Sequence, residues 1–350
     1  MRKVLLFIIT SFLFLDCYSQ STFSDYARLL EMGIQDNFYI KDSGYYRENA
    51  KGVKSDNPVS YLWSLCALVQ AEYDYSLQHK SNHLTQVYNV IDKYYDTRLP
   101  APGYASYSPI LKQDDRYYDD NQWIGIAALD GYIKNKNLKL LEIGSTVYRF
   151  MVSGMDTVLG GGIYWVEERK ESKNTCSNGP GILVALKMYS ATNNKNYLDS
   201  AKLLYDWTMK TLQDKDFLFW DNIHTKDHKI DSQKYSYNVG TMLESSAYLF
   251  QITKEKKYLN AALNMAKASD SYFLKDGKFK DDYWFSAVLL RGLKRLYSIN
   301  KNPIYINHFS DAVKNALKED WDASRNIMGK NGNHNLVWQG GMLEMLCSLK

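Results

Sequence analysis

The sequence is short of the devices that usually organise exported domains or metal centres. It has four cysteines in 350 residues. Cys66, Cys176 and Cys347 would remain in an exported chain, an odd number, so disulfides are not the organising device. Cys66 and Cys347 lie in apolar helical stretches and read as core residues. The six histidines are dispersed. His224 and His228 are four apart, but "NIHTKDHKID" has no helical stripe, so no metal site is expected. An excess of one charge sign is also missing. A formal net charge of +4 is too weak and too scattered for a nucleic-acid partner. No P-loop, dinucleotide-binding or Ser-His-Asp pattern stands in a suitable strand context, and no strand alternation persists. A sheet enzyme is therefore not expected, and no cofactor is implied.

The amino terminus is read as an address. Arg2 and Lys3 precede an apolar run from Val4 to Leu15 that Asp16 ends. The run is shorter than the ~20 residues a membrane-spanning helix needs. It fits a secretory signal peptide over residues 1–20, with Ser19 near the cleavage point. The alternative is a lipid anchor on Cys17, which Asp16 disfavours by occupying a small-residue position. No later stretch spans a bilayer. The expected product is one exported, monomeric domain over residues 21–350, periplasmic, at the cell surface or secreted.

What is abundant is tyrosine, 29 beside 13 phenylalanines and 8 tryptophans. Such rings fill cores, and they also stack on the apolar faces of sugars. The order of the chain is more telling, because it repeats. "MYSATNNKNYLDSAKLLYDWTMKTL" and "LFQITKEKKYLNAALNMAKASDSYF" each carry an apolar helix end, a polar turn, and a Tyr-Leu opening an amphipathic helix. Tyr197, Ala201, Leu204, Tyr205, Thr208 and Leu212 fall at helical spacing in the first, and Tyr258, Ala262, Met265, Ala266 and Ser269 in the second.

Helical pairs are predicted at 60–75 with 83–95, 121–133 with 138–151, 179–190 with 196–212, 240–252 with 257–273, and 285–299 with 304–318. The first helix, 23–37, has no predecessor and the last, 337–349, no successor. Paired with each other they close six hairpins into an all-α (α/α)6 toroid. The alternative, an α-solenoid, would want capping repeats that are absent. The helices starting near 60, 121, 179, 240, 285 and 337 are rich in Ala, Gly and Leu and should form the inner ring. Every loop returning from an outer to an inner helix then opens on one face. That face collects Asp119-Asp120, Asn174–Gly179, Tyr235–Gly240, Asp281-Asp282 and Trp338-Gln339, beside helix N-termini that favour carboxylates.

Adjacent carboxylates at such a mouth point to glycoside hydrolysis, which needs one carboxyl as acid and another as nucleophile or base. Asp119-Asp120 and Asp281-Asp282 are equivalent on these grounds. Either pair could instead cap a helix. Neighbouring Cα atoms are ~3.8 Å apart, which suits the ~5–5.5 Å carboxyl separation of retaining enzymes better than the wider inverting one. Asp114-Asp115 reads as a solvated loop. Asn178, before Gly179-Pro180, reads equally as a cap or a sugar ligand. Tyr237 and Asn238 are candidates for stacking and hydrogen bonding, and Trp165 for a sugar platform.

"YYDDNQWIGIAAL", "GGGIYW…KNTCSNGP" and "YSYNVGTML", in this order, resemble glycoside hydrolase family 76, the bacterial endo-α-1,6-mannanases, which are (α/α)6 toroids. The resemblance runs over most of the chain. It implies a retaining endo-α-1,6-mannanase acting on α-mannan or mannooligosaccharides, with Asp119 as nucleophile and Asp120 as acid/base. It implies that Trp123, Trp165, Asn178, Tyr237 and Asn238 line the sugar subsites. It also breaks the tie with Asp281-Asp282. Val239 and Phe285-Ser286-Ala287 depart from the family pattern, while Arg291 keeps it, so subsite preference is the open point. The alternatives are a transglycosylase on the same site, a non-catalytic glycan-binding protein, and an unsaturated uronyl hydrolase using Arg116 or Arg169 against an anionic sugar.

Overall fold

The computed structural model describes residues 22–330 and 332–349. The expected signal peptide and Cys17 lie outside the described residues. Twelve α-helices account for most of the described chain. They are α1 (Phe23–Asn37), α2 (Leu62–Ser76), α3 (His83–Ile91), α4 (Tyr118–Asn135), α5 (Leu138–Ser153) and α6 (Thr175–Thr192). The second half continues with α7 (Lys195–Leu212), α8 (Ser236–Thr253), α9 (Lys256–Phe273), α10 (Tyr283–Asn300), α11 (Ile304–Asp320) and α12 (Leu336–Ser348).

The even-numbered helices form the inner ring. α2, α4, α6, α8, α10 and α12 each pack on the next, and α12 packs back on α2. They are apolar nearly all round, because both neighbours in the ring and an outer helix cover them: α6 is buried from Thr175 to Met188. The outer helices bury one stripe. On α9 that stripe is Tyr258, Ala262, Met265, Ala266, Ser269 and Phe273, and on α7 it runs from Ala201 to Leu212. α1 packs on α12, so the two ends of the chain make the sixth hairpin. The closure extends into the loops. Leu336 N–H donates to the Glu48 carbonyl at 2.9 Å, and Ala50 N–H to that of His334 at 2.9 Å.

The two faces of the ring differ. On the back, inner helices turn directly into outer ones. Lys136, Asn193, Lys254 and Lys301 each take a left-handed conformation with φ between 56° and 61° and stop α4, α6, α8 and α10. On the front, the returns are long and carry short antiparallel strands of two or three residues. One three-stranded sheet joins Ser172–Asn174, Asn222–His224 and Ile230–Asp231, so it ties the return before α6 to the return before α8.

Four inner helices begin two to four residues before the expected starts, α4 at 118, α6 at 175, α8 at 236 and α10 at 283. Polar first turns hid these starts from an apolar-periodicity reading. Pro180 accordingly lies inside α6 and not at its opening. Glycines let the inner ring close tightly: a Cβ on Gly341 of α12 would lie 2.3 Å from the Trp284 backbone nitrogen. The back of the ring is filled by ion pairs. Arg291 donates to both carboxylate oxygens of buried Glu344, and Arg295 to Glu244. Cys66, Cys176 and Cys347 are free and buried. Among the described residues, no helix is long and apolar enough to cross a membrane.

Candidate active site

A cleft of about 490 Å³ opens at the front of the ring. Its walls come from the starts of α2, α4, α8 and α10 and from the return before α6. Asp119 and Asp120 sit in the first turn of α4, and both line the cleft. Neither is an N-cap, because Tyr117 holds that position without a side-chain cap bond. The free N–H groups of Asp119 and Asp120 in that turn therefore serve the Asp119 carboxylate. Trp123 follows on the same helical face and lies under the pair.

The two acids have different surroundings. Burial raises Asp119 to about 6, opposed by the Cys176 thiol, by the N–H groups of the turn, and by the Trp165 indole. Trp165 Nε1 donates to Asp119 Oδ2 at 3.3 Å. Asp120 is pushed well above the ordinary aspartate value, first by burial, then by the charge of Asp119, then by Glu48. One carboxyl is thus favoured as the anion and its neighbour as the acid, the division of labour that glycoside hydrolysis uses.

Glu48 was not legible as a site residue, because it lies in a loop of ordinary polar sequence. It accepts hydrogen bonds from Tyr61 N–H at 2.8 Å, Trp63 Nε1 at 3.1 Å and Ser64 Oγ at 2.9 Å, and so holds the start of α2 against the cleft. Asp221 was missed for the same reason. It accepts from Asn222 Nδ2 at 2.8 Å, and its charge adds to the burial that raises the Tyr235 and Tyr237 hydroxyls.

Aromatic rings line the rest. Trp284 packs edge-on against Trp123 at 5.6 Å and against Trp63 at 6.1 Å. Tyr237 stacks on Phe285 at 4.1 Å, and Tyr117 meets Trp165 edge-on at 5.2 Å. Trp165 is 39% exposed, although its backbone is pinned: its carbonyl accepts Tyr118 N–H, and its N–H donates to Ser172. A half-exposed indole held at the mouth turns an apolar face to the cleft and is not core filling. Trp63, Trp284 and Phe285 belong to the cleft as well; their helix-start positions were the available signal.

Of the sequence-predicted site residues, Asp119, Asp120, Trp123, Trp165 and Tyr237 converge on the cleft. Asn178 and Asn238 do not line it. Asn178 lies one turn inside α6, fully buried, and bridges backbone: it accepts Ile163 N–H at 2.8 Å and donates to the Ile163 and Asn174 carbonyls. It shapes the return carrying Trp165 and has no amide atom left for a sugar. Asn238 is also fully buried, beside Asp221. Both expectations placed these residues in loops, whereas the helices start earlier.

The second acidic pair has taken the capping role. Asp282 is the N-cap of α10 and accepts Phe285 N–H at 2.8 Å; Asp281 accepts Ser236 N–H at 2.5 Å. The expected solvated loop at Asp114-Asp115 instead forms the cleft rim, because Arg169 folds onto it and donates to Asp115 at 2.8 Å. Arg116 is fully buried, donating to Glu167 and to the carbonyls of Arg98, Leu99 and Ala101. It offers nothing to an anionic sugar.

Paired acids at the mouth of an aromatic-lined helical ring define a carbohydrate-processing toroid. Residues 24–283 match the family described as glycosyl hydrolase family 76, and the chain belongs to that family. The fold is similar to a GH76 α-mannanase of Bacteroides thetaiotaomicron, at TM-score 0.85 and 27% identity, covering 93% of this chain and 95% of that one. A second structure from that organism, titled a glycoside hydrolase family 76 mannosidase, gives TM-score 0.79 and 27% identity over 93% and 97% of the two chains. A mannan endo-1,6-alpha-mannosidase of Saccharomyces cerevisiae is 27% identical over 179 residues, 45% of this chain and 40% of that protein. The chain spans less than half the length of the curated relatives it matches.

Proposed function

We propose that the protein is a retaining, endo-acting hydrolase of α-1,6-mannosidic linkages, exported to meet α-mannan outside the cytoplasm. The observation that carries this reading is the pair Asp119 and Asp120 in the first turn of α4, facing one aromatic cleft. Similarity to named α-mannanases supplies the substrate class.

In this reading a mannose ring sits between Trp123, Trp165 and Tyr237. Asp119, held as the anion by the Trp165 indole and the helix N–H groups, attacks C1. Asp120 gives its proton to the leaving oxygen, and a covalent mannosyl-aspartate results. Asp120, now ionised, takes a proton from water, which attacks C1 from the vacated side and releases mannose with its α configuration kept. Burial first, then the charge of Asp119 and then that of Glu48 favour the protonated Asp120 at rest.

Incubation with debranched α-1,6-mannan tests the reading. Wild type releases mannooligosaccharides whose new reducing ends are α by NMR at early times, and Asp119→Asn and Asp120→Asn release none. Initial β product would overturn retention. Equal activity of all three proteins would move the chemistry elsewhere.

A further inference from the structure

Away from the cleft, α1, α2 and α3 bring together three side chains that the proposed hydrolysis does not use. Glu31, Glu72 and His83 each offer one ligand atom, and these atoms lie within 4.8 Å of one another. Glu72 stands ten residues into α2, roughly 15 Å along the helix from the cleft-lining end. It is completely buried, and neither of its carboxylate oxygens has a hydrogen-bond partner. Glu31 is 5% exposed. His83 Nδ1 faces Glu31 Oε1, but neither atom makes an aligned hydrogen bond.

Glu72, buried without a partner beside the Glu31–His83 pair, is costly as an anion in a folded chain unless a proton or a cation neutralises it. Glu31 and His83 are the charged groups facing Glu72 among the described residues, with no lysine or arginine beside them. A protonated His83 pairs with Glu31 and leaves Glu72 to be neutralised by a proton or by a metal ion. Two carboxylates with a neutral imidazole carry two negative charges, which a dication balances. Glu31, Glu72 and His83 span 52 positions of the chain, so only folding unites them, whereas His224 and His228 lie four apart in a stretch without a helical stripe.

We infer that Glu31, Glu72 and His83 bind a divalent first-row transition metal ion, zinc being the probe of choice, as a structural site that clamps the first three helices at the seam where the ring closes. One imidazole nitrogen with two carboxylates suits zinc, whereas calcium and magnesium prefer all-oxygen sites. His83 is the partly exposed member, with 32% of its side chain open. It provides the entry path and leaves room for a water as fourth ligand. The ion would tie α1, which is also the partner of α12, to α2 and α3.

The test uses full-length protein stripped with EDTA and titrated with zinc by calorimetry, in parallel with thermal melts. Wild type takes up one equivalent, and saturation raises Tm by about 4 °C. Glu72→Gln and His83→Gln each weaken binding by about 100-fold. His224→Ala with His228→Ala leaves it unchanged, which separates the site from adventitious surface histidines. Calcium gives no comparable shift. Failure of stripped wild type to bind zinc, or binding that persists in both Glu72→Gln and His83→Gln, overturns the assignment. The readouts are binding and melting, and hydrolysis of mannan does not enter them.

Discussion

Replacing Asp119 with asparagine should abolish turnover and stabilise the fold, but only above a definite pH. Folding raises the Asp119 pKa from 3.8 to about 6. A carboxyl with a raised native pKa holds its proton longer in the folded state, so stability falls as pH climbs through that window. The cost is nil below about pH 4, grows up to about pH 6, and is complete above it. About two units at 1.36 kcal/mol each give about 3 kcal/mol for a sealed site. Asp119 opens onto the cleft, and solvent screening reduces the figure to about 1–2 kcal/mol. Asparagine keeps the shape and can still accept from Trp165, so removing the charge is the main change. At about 2 °C per kcal/mol in a domain of this size, the variant should melt about 2–4 °C above wild type at pH 8 and level with it at pH 4. The assay is a pair of melting curves across pH 4–8, with mannan turnover measured alongside. A Tm difference that does not vary with pH, or a variant less stable than wild type at pH 8, would refute the reasoning.

Three further outcomes follow from the same geometry. Trp165→Phe keeps the ring but removes the hydrogen bond to Asp119, so kcat/KM should drop about tenfold and the acid limb of the pH–rate profile should move above pH 6; an unchanged profile would mean the indole only packs. Glu48→Gln removes a charge that holds the Asp120 proton, so the alkaline limb should shift to lower pH in the same profile. Gly341→Ala drives a Cβ to 2.3 Å from the Trp284 backbone nitrogen and should cost about 3 kcal/mol by denaturant unfolding, with a rise in KM as Trp284 is displaced.

The twelve helices were readable because apolar periodicity survives on the outer helices and continuous apolar content on the inner ones. Tyr258, Ala262, Met265, Ala266 and Ser269 are the buried stripe of α9 as spaced in the sequence. Helix starts were less visible. The first turns of α4, α6 and α8 are rich in Asp, Asn, Ser, Thr and Tyr, which resemble loop residues when read locally. The error moved Asn178 and Asn238 from helix interior to sugar subsite. The pair Asp119-Asp120 was legible as a catalytic candidate, yet its rank over Asp281-Asp282 needed the resemblance to a family. Coordinates supply the physical reason: Asp282 is occupied as a cap, whereas Asp119 and Asp120 have a tyrosine in the cap position before them. Glu48 and Asp221 carried no local signal, because their roles arise from neighbours far away in sequence.

The ring is sealed by its own ends, α1 against α12, and this sets a schedule for biosynthesis. α2 and α10 flank an open gap until α12 arrives. No nascent chain can complete the cleft before α12 has been made and has docked between its neighbours. Removing α12 would leave eleven helices around an unfinished circle.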